Sequence, residues 1–264
     1  MEDLTVRLYL RHRPRTTAAI MVILACCSAR AQDMLLHVDL TSPQMTEPEM
    51  TREQVVAEVA KGTADHPADL SGRRLSGLDL SGIDFRGATM RSAYLNKANL
   101  SGADLDGVNL DQAWAMNADF GGASMKAVSM IASQMRNAVL DNADLSGARI
   151  TADLGGAQLN GAKLNGANLG ADMKNQPMGL MRALLPSAKL EGADLSGADL
   201  SRVDLKFASL KGANLTGTNL TRAELSGADL SGADVTGAVF TDADMNGARI
   251  ADLTGEAEAV DLND

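Results

Sequence analysis

Catalysis needs a nucleophile, a base or a metal cluster held in a concave site, and this chain of 264 residues is sparing with all of them. Its histidines are His12, His37 and His66, and its cysteines are Cys26 and Cys27. His37 falls in a linker-like stretch containing Pro43 and Pro48, while His66 sits just before a repetitive region; neither has a partner at triad or metal spacing. The glycines recur as corner residues of a repeat, never in the strand-to-helix context that cradles phosphate. The expectation is a non-enzyme with no cofactor and no bound metal.

What remains is surface chemistry, carried by three groups. Tyr94 and Trp114 occupy equivalent outward slots of the repeat, with Arg74 in the same slot before them and Met116 close by. Exposed aromatics beside a cation suit recognition of a protein or a glycan. Asp204, Glu224 and Asp244 form a second set, an acidic stripe able to meet a basic partner or a weak cation, with Lys206 near enough to blunt it. The third is the interruption MKNQPMGLMRALLPSAKL, a loop at about 174–184 whose Met178, Leu180 and Met181 project apolar side chains. Loops on rigid scaffolds often carry function.

These residues are positioned by an unusual element. Stretches such as EGADLSGADL repeat with a period of five, neither the 3.6 of a helix nor the 2 of a strand. Centring each unit on its large apolar residue puts the small residue two positions earlier on the same inward face, and the Asp between them outward. Ser-Gly then supplies a corner. Centres run in register from Leu70 to Ile150, large and apolar except at Ala115. One residue is then missing before Leu154, another before Met173, and the register resumes at Leu185 or Leu190 and holds to Ile250. One unit cannot bury its own apolar face, so successive coils must stack as in a solenoid.

The runs ANLSGADLDGVNL and ADLSGADLSRVDLKFASLKGANLTGTNL resemble the pentapeptide-repeat family, and the likeness covers residues 66–255. That resemblance implies an all-β fold, a right-handed quadrilateral β-helix with four units and twenty residues to a coil. Tyr94 and Trp114 would then be stacked neighbours, as would Asp204, Glu224 and Asp244, and Phe207 would lie next to Ser187. The family commonly places Asp or Asn in the outward slot, so the acidity has a structural origin. It also implies an alternative function, since some members resemble acidic DNA duplexes and occupy DNA gyrase to give quinolone protection. Those members dimerise through an apolar C-terminal helix, which the acidic tail 256–264, ending EAEAVDLND, scarcely provides.

The flanks differ from the rod. Residues 1–31 read as a signal peptide: Arg7, Arg11, Arg13 and Arg15 precede the apolar TTAAIMVILACCSA and the small-residue site Ala29-Arg30-Ala31. The expectation is a periplasmic or secreted chain beginning at Gln32, with lipid anchoring at Cys26 as a lesser alternative. The apolar run falls short of the about 20 residues a spanning helix needs, so no stable membrane span is expected. Residues 32–65 form a linker and a capping helix at about 52–61, begun by a Thr51/Gln54 capping box and stopped by Gly62. Leu78 and Ile83 replace the usual alanine in the first coil, as a covering helix would require, whereas Arg73 in the same slot fits no rule. Net charge is −10, and about −13 once five arginines and two acids of residues 1–31 are removed. That balance disfavours direct nucleic-acid or anionic-lipid binding and leaves a protein as the expected partner.

Overall fold

The computed structural model describes residues 38–63, 65–171 and 181–257. The chain forms a β-helix. Parallel bridges join residues twenty apart, as at Asp69–Thr89, Thr89–Asn109 and Asn109–Ser129. Each step is held by two backbone bonds: Leu70 N donates to Thr89 O and Thr89 N to Ala68 O, both at 2.9 Å. Corners close locally, as where Ala98 N donates to Leu95 O at 3.0 Å. Inside, leucine, methionine and phenylalanine centres and the alanines two before them are almost wholly buried, giving a narrow continuous core.

The outward Asp has a specific local duty. Asp69 Oδ1 accepts the Ser71 N–H at 2.9 Å, Asp119 Oδ1 the Gly121 N–H at 2.8 Å, and Asp199 Oδ1 the Ser201 N–H at 2.9 Å. Asn99 and Asn219 do the same for Ser101 and Thr221. Each is an Asx turn leading into the corner, and that is why only Asp and Asn serve equally well there. Two of these carboxyls lie at about 2: Asp84, bonded to the Arg86 guanidinium and backbone N–H, and Asp229, bonded to the Ser231 hydroxyl and N–H and attracted by Lys211. Asp69, Asp79, Asp144, Asp234 and Asp244 are also lowered. Folded values below the ordinary 3.8 mean stability fully present above that pH and lost as pH falls toward 2. Melting followed by circular dichroism at about pH 5 and about pH 2.5, on either side of the ordinary carboxylate value, is expected to show a clear fall in Tm at the lower pH.

The missing residue before Leu154 is absorbed by the only extended strands among the described residues, β1 (Ser129–Gln134) and β2 (Arg149–Asp153). They pair in parallel with Met130 opposite Ile150 but Gln134 opposite Asp153, a bulge at which Ala132 takes φ 58°. Beyond it the circuit is nineteen residues, Val139 pairing with Gln158. The chain leaves the register after Leu169 and returns at Ala183, whose N–H donates to Leu169 O at 3.0 Å. Leu185 is again a buried centre, as the spacing predicts; Met173 lies outside the described residues.

Before the rod come two helices, α1 (Pro43–Thr46) and α2 (Arg52–Val59). The Thr51/Gln54 capping box of α2 is formed in both directions. The helix ends two residues earlier than its sequence pattern suggests, where Gly62 N bonds Val59 O at 3.0 Å. A side chain at Gly62 would bring its Cβ within 2.9 Å of Ala68 N, so glycine is needed where the chain passes into the first circuit. This segment engages the rod's first edge. Glu49 N donates to Arg74 O at 2.9 Å, and the Arg52 guanidinium donates to Asp79 O at 2.6 Å and Ser81 O at 2.8 Å.

Candidate interaction surfaces

The aromatic column is continuous. Bridges run Arg74–Tyr94–Trp114–Gln134, placing the two aromatics on successive circuits, each half-buried. Its upper part is occupied by the chain's own N-terminal segment. The Gln44 amide bonds the Tyr94 hydroxyl, Asn96 Nδ2 donates to Met45 O at 3.2 Å, and Met116 N donates to Asn96 Oδ1 at 3.0 Å. Met116 is consequently only 8% exposed, while Tyr94 and Trp114 stay half-buried. Arg74 and Arg73 both face Glu49 at 3.4 Å, which gives Arg73 its place: in the first circuit an inner-slot side chain can turn to the preceding segment. Burial works against ionisation of Glu49, but the Arg74 N–H and the two guanidinium bonds outweigh it and lower its pKa.

The sequence leaves residues 32–50 as either linker or partial cap; the described part packs on the first circuits, and the contacts to Tyr94 and Asn96 are what sequence reasoning does not foresee. The available signal was Pro43 at the first helical position after Ser42. Between segment and rod lies an opening of about 280 Å³ lined by Leu40, Met45, Lys97 and Met116 among others.

The acidic stripe also exists as a ladder, Asp204–Glu224–Asp244. Glu224 is clamped from both sides, by Arg182 Nη2 at 2.7 Å and by the Lys206 ammonium. Burial pushes its pKa up, yet these cations more than compensate and it is lowered, while the Lys206 pKa is raised. Asp204 and Asp244 take the corner N–H groups of Lys206 and Asn246, and Asp244 also accepts from Ser226 Oγ at 2.5 Å. The stripe's carboxylates are thus largely committed within the chain, and no group of three potential metal ligands occurs among the described residues. Of the loop residues, Met178 and Leu180 lie outside the described residues, whereas Met181 stands where the chain re-enters the rod. His66 is exposed, in a turn with Thr63 where α2 gives way to the rod; its N–H donates to Thr63 Oγ1 at 3.1 Å.

The family model for pentapeptide repeats matches in eight copies, over residues 68–102, 85–122, 118–151, 152–173, 180–217 and 218–255, well over half the chain. The chain is a pentapeptide-repeat protein. Such proteins form right-handed β-helices and generally serve as structural or interaction proteins rather than enzymes. Among solved structures, HetL, a pentapeptide-repeat protein involved in heterocyst differentiation regulation in the cyanobacterium Nostoc, is 29% identical. The match covers 78% of this chain and 94% of HetL with a TM-score of 0.41. QnrB1, a plasmid-mediated fluoroquinolone resistance protein, is 16% identical over 66% of this chain and 89% of its own, TM-score 0.48. Rfr23 from the cyanobacterium Cyanothece is 32% identical over 42% of this chain and 64% of its own, TM-score 0.28. No curated protein matches the chain.

As a pentapeptide-repeat protein, the chain spends its recurring polar residues on its own corners. The side chains without that corner duty are those that depart from the consensus. Tyr94 and Trp114 are such departures, each standing where Asp or Asn is the rule. Among the described residues no helix is long and apolar enough to cross a membrane.

Proposed function

We propose that this pentapeptide-repeat protein is an exported, non-enzymatic interaction module: a four-sided rod, capped at its first edge by α2, that presents a flat outer face to a protein partner. The carrying observation is the Tyr94–Trp114 ladder, two half-exposed aromatics on adjacent circuits of a backbone bonded at every step. A surface so fixed loses little conformational entropy on binding, and Tyr and Trp are the residues that most often dominate interface energies. The N-terminal segment through Gln44 and Met45 borders the ladder and forms one wall of the same surface. Export is supported by the order of arginines, apolar run and small-residue site in residues 1–31, with Gln32 the mature start.

A photo-crosslinking residue placed at position 114 in cells is expected to give a discrete protein adduct, whereas one at Asp234, on another face, is expected to give none. Substituting Trp114→Ala in the full chain should weaken the captured partner by about tenfold or more while leaving the far-ultraviolet spectrum unchanged. Fractionation with N-terminal sequencing reads the other half of the proposal. A periplasmic or secreted product starting near Gln32 supports export, and an uncleaved cytoplasmic product refutes it and makes a gyrase-protection assay the next measurement.

A further inference from the structure

Phe207 is the most exposed large apolar side chain among the described residues, at 69%, and it stands where a pentapeptide corner normally has glycine. Its backbone lies at φ 58°, a region that a bulky side chain enters at a cost. Below it in the same corner column are Gly227 and Gly247, at φ 70° and 67°. Phenylalanine here gains neither burial nor a comfortable backbone. Other corners take the same φ with non-glycine residues, Gln112, Arg202 and Arg222 among them, so what sets Phe207 apart is its exposed ring and not its backbone.

The ring is nevertheless held in place. It lies on the bare backbone of Gly227, where an added Cβ would come within 2.5 Å of Phe207 Cδ1, while the step below, at Gly247, is open. Beside this corner runs a shallow concavity of about 480 Å³ across Lys189, Ser209, Asp229 and Arg249, with Glu191 and Lys211 on its far side. On a chain of net charge −10 this face carries three cations against two carboxylates. Asp229 is already held by Lys211 and Arg249, each at 3.5 Å, and Glu191 accepts from Ser209 Oγ at 2.9 Å. No carboxylate among the described residues lies within ion-pair distance of Lys189, whose charge is available to an incoming group.

We propose that the Phe207 corner and the adjoining Lys189–Arg249 face form a second docking surface, for a protein segment bearing an aromatic or branched aliphatic side chain next to a carboxylate. The apolar side chain stacks on the Phe207 ring over the glycine steps, and the carboxylate meets Lys189. This surface lies on later circuits than the Tyr94–Trp114 ladder, so it does not depend on that reading.

The test is a phage-displayed random peptide library selected on the full chain, followed by titration of the synthetic consensus peptide against the parent, Phe207→Gly and Lys189→Glu. The expected result is a consensus containing an aromatic or aliphatic residue and Asp or Glu. Its affinity should fall tenfold or more with Phe207→Gly and several-fold with Lys189→Glu. Because glycine is at home in this corner, Phe207→Gly should melt no lower than the parent; a lower Tm would show that the ring serves the fold and would overturn the proposal. It is equally overturned by a basic consensus, by binding indifferent to both variants, by absence of enrichment, or by Phe207-dependent binding to glycans instead of peptides.

Discussion

Replacing Phe120 with alanine is expected to destabilise the protein by about 3–5 kcal/mol, measured as a shift of the urea midpoint followed by circular dichroism. The ring is fully buried, and its circuit already contains the one small centre, Ala115. Phe120 supplies the volume that Ala115 lacks, and the variant would leave two alanines among the four centres of one layer. Other layers have no slack to lend, because each is fixed to its neighbours by backbone bonds at every side. In a solenoid each circuit touches only those above and below it, so a weakened layer also uncouples the two halves of the rod. The unfolding transition should broaden or split, and conservative Phe120→Leu should keep it single.

The second large effect concerns the first edge. A chain starting at His66, without the Glu49 and Arg52 contacts, is expected to form larger species than the full chain at equal concentration, measured by light scattering after size exclusion. The carbonyls of Arg74, Asp79 and Ser81 would lose the partners they have in the Glu49 N–H and the Arg52 fork. An uncovered parallel edge is a template for another strand. Arg52→Ala alone should show the same tendency more weakly, with a stability loss of about 1–2 kcal/mol, since the guanidinium bonds are partly exposed. Equal size distributions for the truncated and full chains would show that the segment does not protect the edge.

Much of this architecture was legible because the period of five states both faces at once: Leu100 and Ala98 turn inward together, and Asn99 between them turns outward. The capping box at Thr51 was legible for the same local reason. What escaped depends on contacts distant in sequence. Nothing near Gln44 or Met45 announces Tyr94 or Asn96, and the place of Arg73 follows only once Glu49 lies opposite. The acidic stripe was readable as a column, but its neutralisation by Arg182 depends on where the chain re-enters after the interruption. Phe207 was visible as an exception to the glycine rule, while the direction of its ring, over Gly227, was set by packing that a sequence does not state.

The interruption has a consequence for engineering. Its two ends are stitched together by the bond from Ala183 N to Leu169 O at 3.0 Å, and both flanking residues are buried centres or inner-corner residues of ordinary circuits. Whatever is spliced between them need not bridge a gap or carry the fold's register, because the bridges resume at Leu184–Asp204 with the usual twenty. The rod thus contains a natural cassette site, where a foreign peptide could be displayed at a fixed height along the axis. Grafts at the other corners would first have to open a closed circuit.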